Sequence, residues 1–173
     1  REVMYFLKKA APLIIKASTN NFIEWHTPNG FRVVQRKPKT QQTKANTTLG
    51  DFCGQKRAYV NMSYRLIQQN TRKHGSSIAP NFVHSLDSCH LQNTVLSLPE
   101  ALSFNMVHDS YGTHAKDSRA MYEAIRQQFY DIYKNNDILD KFIKEQPEFD
   151  LPELPTNGKL DLTEVLKSEY FCA

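Results

Sequence analysis

Apolar residues recur at helical spacing near the start of the chain, where Met4, Leu7, Ala11, Ile14 and Ile15 fall within Met4–Ala17. That spacing predicts a helix, kinked or split in two at Pro12, because proline lacks the N–H the helical ladder needs. Phe22–His26 and Phe31–Val34 are short β-prone runs separated by Thr27-Pro28-Asn29-Gly30, a strand–turn–strand signal whose Asn-Gly pair suits positive backbone dihedrals. From Arg36 to Lys73 the pattern turns polar and basic, but Arg57–Arg65 interleaves aromatic and β-branched residues with arginines. A long exposed hairpin fits that content better than a disordered linker. A second helix is expected from about Pro80 to Leu98, with proline in its first turn. Ser103–Val107 reads as a strand ending at His108-Asp109-Ser110-Tyr111-Gly112, with Gly112 allowing the reversal. Ser118–Tyr133 carries Met121, Ile125, Phe129 and Ile132 on one helical face, and Asp137–Glu145 reads as a shorter helix. Pro147, Pro152, Pro155 and Gly158 then mark irregular chain before a helical turn at Thr163–Lys167. The pattern describes a mixed α/β chain of the α+β kind, without internal repeats.

Charge changes that picture. The net +4 conceals a division: residues 1–75 hold 14 Lys/Arg against 3 Asp/Glu, a net +11, and residues 76–173 hold 8 against 15, a net −7. A basic half of this kind suits a polyanion, since lysines and arginines gain free energy by releasing counterions from phosphates. No run of 18 apolar residues occurs, which argues against a membrane span. Cys53, Cys89 and Cys172 are odd in number and widely spaced. They point to reduced thiols in an intracellular protein and not to a disulfide framework or zinc site; a secretory leader is not in evidence either.

Three groups of residues could carry chemistry. Asp109 stands at the end of an apolar strand and before a turn, where a carboxylate is held rigidly at a tip. Such a group can bind Mg²⁺ between protein and substrate phosphates, or simply cap its own turn. His84, Asp87 and Ser88, with His90 slightly offset and Asn81 opening the same helix, form a polar stripe. It could ligate a metal, face solvent, or contact nucleic acid. The Tyr/Arg/Lys interleaving over Lys56–Arg65 fits phosphate contact and base stacking, or the basic outer face of an ordinary hairpin.

Read together, these segments resemble a known family. Ile78-Ala79-Pro80-Asn81-Phe82-Val83-His84-Ser85-Leu86-Asp87, followed by Val107-His108-Asp109-Ser110-Tyr111-Gly112-Thr113, is similar to the late fingers and palm of single-subunit RNA polymerases from bacteriophages, mitochondria and plastids. Glu24-Trp25-His26-Thr27-Pro28-Asn29-Gly30 resembles the family's Trp-x-Thr-Pro-x-Gly segment. Leu160-Asp161-Leu162 and Glu169-Tyr170-Phe171-Cys172-Ala173 resemble its C-terminal foot. These markers occur in order along nearly the whole chain.

The resemblance implies the C-terminal palm and fingers part of a right-hand polymerase, with a palm β-hairpin, flanking helices and a long basic hairpin. Its expected organisation is one C-terminal region, 1–173. Within it, 1–35 would form a helix and hairpin, 36–73 the specificity-type hairpin, 74–146 the palm and fingers core, and 147–173 the foot. Asp109 would be the second of two palm aspartates that bind catalytic Mg²⁺. His84, with His108 and Asn81, would line the nucleotide and hybrid site. Arg36, Lys37, Lys39, Lys44, Lys56, Arg57 and Arg65 would belong to the segment that meets promoter DNA. Phe171 and Ala173 would belong to the foot. Implied partners are double-stranded promoter DNA, the template strand, nascent RNA, NTPs and the remaining parts of the polymerase, with no membrane. The location implied is host cytoplasm for a phage protein, or mitochondrion or plastid for an organellar one. The first palm aspartate and the Arg, Lys and Tyr of the nucleotide-binding helix have no counterpart here, so the chain is expected to be incomplete and inactive alone. Cys172 replaces a common aromatic of the foot. Two other classes remain to be weighed, a His-Asp phosphohydrolase and a non-catalytic nucleic-acid-binding module.

Overall fold

The structure, a computed structural model, describes residues 2–47, 54, 58–100, 102–107, 109–134, 137–147, 152–156 and 158–171. Its element order is α1 (Glu2–Ala17), β1 (Ile23–His26), β2 (Arg32–Gln35), β3 (Pro38–Thr47), β4 (Ala58–Gln69), α2 (Thr71–Ser97), β5 (Phe104–Val107), β6 (Ser110–Thr113), a 3₁₀ turn (Ala115–Asp117), α3 (Ser118–Lys134), α4 (Ile138–Lys144) and α5 (Thr163–Lys167). The strands pair as three separate antiparallel hairpins, β1–β2, β3–β4 and β5–β6. The α+β reading of the sequence stands.

Helix α1 is one continuous element with Pro12 inside it, not the two short helices that were one of the expectations. It packs along α2, and the contact is tight at Gly75, where an added Cβ would lie 3.2 Å from the Lys8 carbonyl and 3.5 Å from Pro12 Cγ. Lys8 is the residue whose carbonyl Pro12 cannot engage within the helix. Proline and glycine therefore meet at one contact, which lets two backbones approach where each ladder is weakest.

Helix α2 begins nine residues before the expected Pro80. Asn70 caps it, its side chain accepting from the Lys73 amide at 3.0 Å, and Pro80 is simply an interior residue. Thr71, Arg72 and Lys73 thus belong to the helix and not to the basic hairpin.

The apolar core joins α1 (Phe6, Leu7, Ile14), β1 (Ile23, Trp25), the first half of α2 (Ile78, Phe82, Leu86) and α4 (Phe142). Trp25, Phe82 and Phe142 form a triangle of tilted and edge-on rings with centroids 5.2–6.0 Å apart. Full burial of side chains of this size stabilises by about 1.5–3 kcal/mol each. The Trp25 indole N–H donates to Ser85 Oγ at 3.0 Å, and Ser85 Oγ donates onward to the Phe82 carbonyl at 2.7 Å. This satisfies the one polar atom of the ring inside the core.

The β1–β2 turn closes with Gly30 N–H donating to Thr27 O at 2.8 Å and Thr27 N–H to Phe31 O at 3.0 Å. Only Gly30, at φ +84°, takes a positive dihedral; Asn29 does not. The loop is a turn followed by a left-handed glycine, and Asn29 serves instead through its side chain, accepting from Thr27 Oγ1 at 2.5 Å. Gly112 is likewise not a turn residue. It lies within β6 opposite Asn105, where a Cβ would come 3.1 Å from the Asn105 carbonyl, and the chain has reversed by Ser110, which pairs with Val107.

Candidate functional site

Val107 pairs with Ser110, so Asp109 lies in a two-residue connection between β5 and β6. A turn this short holds its side chains at a fixed place at the end of the ladder. Asp109 is exposed, and it shares a cleft of about 590 Å³ with His84, Asp87, Ser88 and Leu91 of α2. A second cavity of about 310 Å³ adjoins it, lined by Asn81, His84 and Ser88 on one side and by Trp25, Val33 and Gln35 on the other. His84 and Ser88 border both. Residues 81, 84 and 88 are spaced three and four apart, so one exposed face of α2 forms the floor of a continuous trough.

Of the sequence-predicted site residues, Asp109 and His84 border one cleft, and His84 and Asn81 border the cavity beside it. Asn81 is fixed, its Nδ2 donating to Gln35 Oε1 at 2.7 Å. Gln35 Nε2 donates to Nδ1 of the fully buried His74 at 3.1 Å, and His74 Nε2 donates to Gln69 Oε1 at 3.2 Å. Gln69 Oε1 also accepts from the Lys37 amide at 3.0 Å, which ties the root of the basic hairpin to the trough. Burial and, secondarily, the Lys37 charge push the His74 pKa down, in keeping with a neutral ring that accepts at Nδ1 and donates at Nε2. Asp87 faces another way as well. The Tyr133 pKa is raised by burial first and next by the Asp87 charge. His90, grouped by sequence with the exposed stripe, turns from it and packs against α3 and β6.

The basic hairpin β3–β4 is exposed over most of its length. Its register pairs Thr40 with Arg65, Gln42 with Ser63, Lys44 with Asn61 and Asn46 with Tyr59 on one face. Gln41 with Tyr64, Thr43 with Met62 and Ala45 with Val60 occupy the other. Directly opposed residues share a face, so one side carries the cations and most of the amides, and the other carries Tyr64, Met62, Val60 and Ala45 with only Gln41 and Thr43 polar among these pairs. Lys44 and Arg65 lie on the polar side. Lys39 stands at the register shift beside Pro38, its Nζ donating to Gln68 at 3.3 Å. Arg36 and Lys37 precede the hairpin; the Arg36 guanidinium lies 5.1 Å over the Phe22 ring. Lys56, Arg57, His108 and Ala173 lie outside the described residues.

Phe171 is half-buried, its ring 5.0 Å from Phe129 and 5.5 Å from the Arg126 guanidinium. Arg126 was not singled out by sequence. It is nearly fully buried and gathers the end of α5, donating to the Val165 carbonyl at 2.8 Å, to that of Ser168, to that of Glu169 at 3.4 Å, and to the Tyr122 hydroxyl. An arginine one position beyond the apolar Ile125 was the available signal.

Among the described residues no group of three or more His, Cys, Asp and Glu is placed to hold a metal, and none of the described ion pairs involves Asp109. Mg²⁺ is commonly held by one or two carboxylates with water and substrate phosphates, so an exposed carboxylate at a clamped turn fits a partial ligand set. No helix among the described residues is long and apolar enough to cross a membrane.

Residues 1–148 match the family model for DNA-dependent RNA polymerase. The chain is 37% identical over 161 residues to the mitochondrial DNA-directed RNA polymerase 1 of Arabidopsis thaliana, covering 91% of this chain and 16% of that protein. It is 34% identical over 190 residues to T7 RNA polymerase of Escherichia phage T7, covering 98% of this chain and 21% of that enzyme. With DNA-directed RNA polymerase 1A of Nicotiana tabacum it shares 35% identity, covering 91% of this chain and 99% of that protein. The chain thus spans about a sixth to a fifth of the first two relatives. It belongs to the DNA-dependent RNA polymerase family that includes the phage T7 enzyme and plant organellar polymerases.

Proposed function

We propose that this chain serves DNA-directed RNA synthesis as the C-terminal palm and fingers part of a polymerase, with Asp109 as one ligand of its catalytic Mg²⁺. The observation that carries this reading is the placing of Asp109 in one cleft with His84 and Ser88, next to the cavity bordered by Asn81. Addition of a nucleotide is in-line displacement by an RNA 3′-hydroxyl at an α-phosphate. The metals, when bound, activate that hydroxyl and neutralise charge on the phosphates.

The chain's own residues do the positioning. Asp109 presents an anionic oxygen from a turn that two paired strands immobilise. Asn81, held by Gln35, keeps an amide at the trough wall, and His84 offers a ring to a ribose or a minor-groove edge. His108 precedes Asp109 and belongs to the same proposed nucleotide site. The remaining carboxylate of the pair would come from polymerase sequence outside this cleft.

The hairpin β3–β4 is the proposed promoter contact. Its polar face carries Lys44, Arg65, Asn46, Asn61 and Gln42, the residue types that meet phosphates and base edges in a major groove. Arg36, Lys37 and Lys39 add positive charge near its root, and Lys56 and Arg57 add two more cations to the same segment of the sequence. Phe171, whose ring meets Phe129 of α3, and Ala173 are assigned to the C-terminal foot. The site of action follows the host, which is cytoplasm, mitochondrion or plastid.

In a complete polymerase carrying this segment, Asp109→Asn removes the ligand charge while keeping the shape. Loss of several kcal/mol of transition-state stabilisation corresponds to roughly 10²–10⁴-fold slower nucleotide addition, with promoter binding nearly unchanged. RNA synthesis within a fewfold of the parent enzyme would refute the assignment.

A further inference from the structure

His90 of α2 links its helix to α3 and to β6, the strand that follows Asp109. Its Nε2 lies 2.7 Å from the Ile125 carbonyl of α3, and its Nδ1 lies 3.1 Å from the Tyr111 hydroxyl of β6. A carbonyl can only accept, so Nε2 carries the proton. Nδ1 faces the Tyr111 hydroxyl, which donates to it in the tautomer that carries its proton on Nε2. The ring also meets Tyr111 edge-on at 5.9 Å and Phe129 at 5.7 Å. Phe129 in turn contacts Phe171 at 5.0 Å. Asp109 is two residues before Tyr111, across a turn too short to absorb much movement.

We infer that His90 is a positioning residue: it fixes the β5–β6 hairpin against α2 and α3, sets where the Asp109 carboxylate stands in the cleft, and couples that turn to Phe171 in the C-terminal segment. The inference rests on the proposed role of Asp109. It differs from the alternative roles of His90 as nucleic-acid contact or metal ligand, because both ring nitrogens are engaged within the protein. The imidazole suits the place because it is the one neutral side chain offering a donor and an acceptor on opposite edges of a rigid plane. Leucine would fill much of the same volume but remove the hydrogen bonds that the ring makes to the Ile125 carbonyl and to the Tyr111 hydroxyl. Glutamine keeps a donor for Ile125 and loses the rigid acceptor for Tyr111.

The test uses a complete polymerase carrying this segment, with single-nucleotide addition followed across a Mg²⁺ titration. His90→Leu is expected to lower kcat by about tenfold and to raise the half-saturating Mg²⁺ concentration severalfold, the range seen when support behind a metal ligand is lost. KM for NTP should shift less than kcat, and promoter affinity should stay within twofold. His90→Gln should recover part of the rate with a melting temperature near the parent's, which separates positioning from failure to fold. A His90→Gln enzyme with parental melting, kcat and Mg²⁺ requirement would overturn the inference, as would a His90→Leu enzyme whose only change is its melting temperature. The outcome for Asp109→Asn is separate: if that variant is inactive and the His90 variants are normal, only the positioning role fails. If Asp109→Asn is active, the metal assignment itself fails.

Discussion

Arg126 allows a worked prediction, because one side chain gathers several carbonyls at the end of a short helix. Its guanidinium is nearly fully buried and donates to Val165 O at 2.8 Å and to Ser168 O, with a weaker bond to Glu169 O at 3.4 Å. It also lies 4.0 Å over the Tyr122 ring. Helix α5 has only five residues, too few to be stable by itself in water. Hydrogen bonds from a charged donor contribute about 1.5–3 kcal/mol each. Two good ones, reduced by the buried Arg126 Nε that lacks a partner among the described residues, suggest a net of about 2–4 kcal/mol. Arg126→Met keeps the aliphatic bulk and removes the donors. At 1.4 kcal/mol per decade, opening of residues 163–169 should become roughly 30- to 1000-fold more frequent. Amide hydrogen exchange reads this directly at Ser168, which donates to Glu164 O, and at Val165, which donates to Leu162 O. Arg126→Lys should open the segment nearly as much, since one ammonium cannot span carbonyls that a planar fork reaches together. Exchange at these amides within threefold of the parent in both variants would refute the reasoning.

Two further outcomes follow from polar residues elsewhere. His74 has a pKa lowered by burial and then by Lys37. The unfolded chain therefore binds more protons than the folded one below about pH 6.5, the ordinary histidine value. Stability is greatest above that pH and falls as the pH drops through it towards the folded value. Denaturant melts at pH 7.5 and 5.5 should show this loss, and His74→Asn should flatten it; an unchanged slope would count against the buried neutral ring. On the hairpin, Lys44→Gln or Arg65→Gln should weaken promoter binding and reduce the salt slope by about one per lost phosphate contact. Met62→Ser on the opposite face should leave that slope alone, and equal effects from both faces would remove the two-sided reading.

Much of this fold is legible in the sequence where a period is strong and local. The apolar stripe of α3 and the β-prone second half of the basic segment form as expected, and the β1–β2 hairpin forms where expected with only Gly30 of its Asn-Gly pair at a positive dihedral. The misread boundaries have a common origin in contacts made by distant residues. Arg72-Lys73-His74-Gly75 looks like loop, yet Asn70 caps a helix there and Gly75 is needed against Lys8 and Pro12 of α1. Gly112 looks like a turn residue until Asn105 is seen beside it. Asp109 at a strand end was readable, but its meeting with His84, some 25 positions earlier, was not a matter of spacing. Only the ordered set of motifs suggested it. His90 shows the limit most clearly, since helical spacing put it near the exposed stripe and only tertiary structure shows both nitrogens engaged.

The chain is held together in two different ways, and the proposed site lies in the second. Helix α1, strand β1, the first half of α2 and α4 share an apolar core that is non-directional and tolerates small shifts. The second half of α2, β5–β6, α3 and α5 are also joined by oriented contacts: His90 between Ile125 and Tyr111, and Arg126 on the carbonyls of Val165, Ser168 and Glu169. The buried Met121, Ile125 and Ile132 of α3 lie outside the main cluster. Directional bonds fix distance and angle together, which a metal-binding carboxylate requires and a greasy contact does not supply. They also fail abruptly when one partner is removed, because the other is left unsatisfied. Substitutions in the Trp25–Phe82–Phe142 triangle should therefore act first on stability. Substitutions at His90, Tyr111 or Arg126 should act first on the geometry around Asp109 and the C-terminal segment.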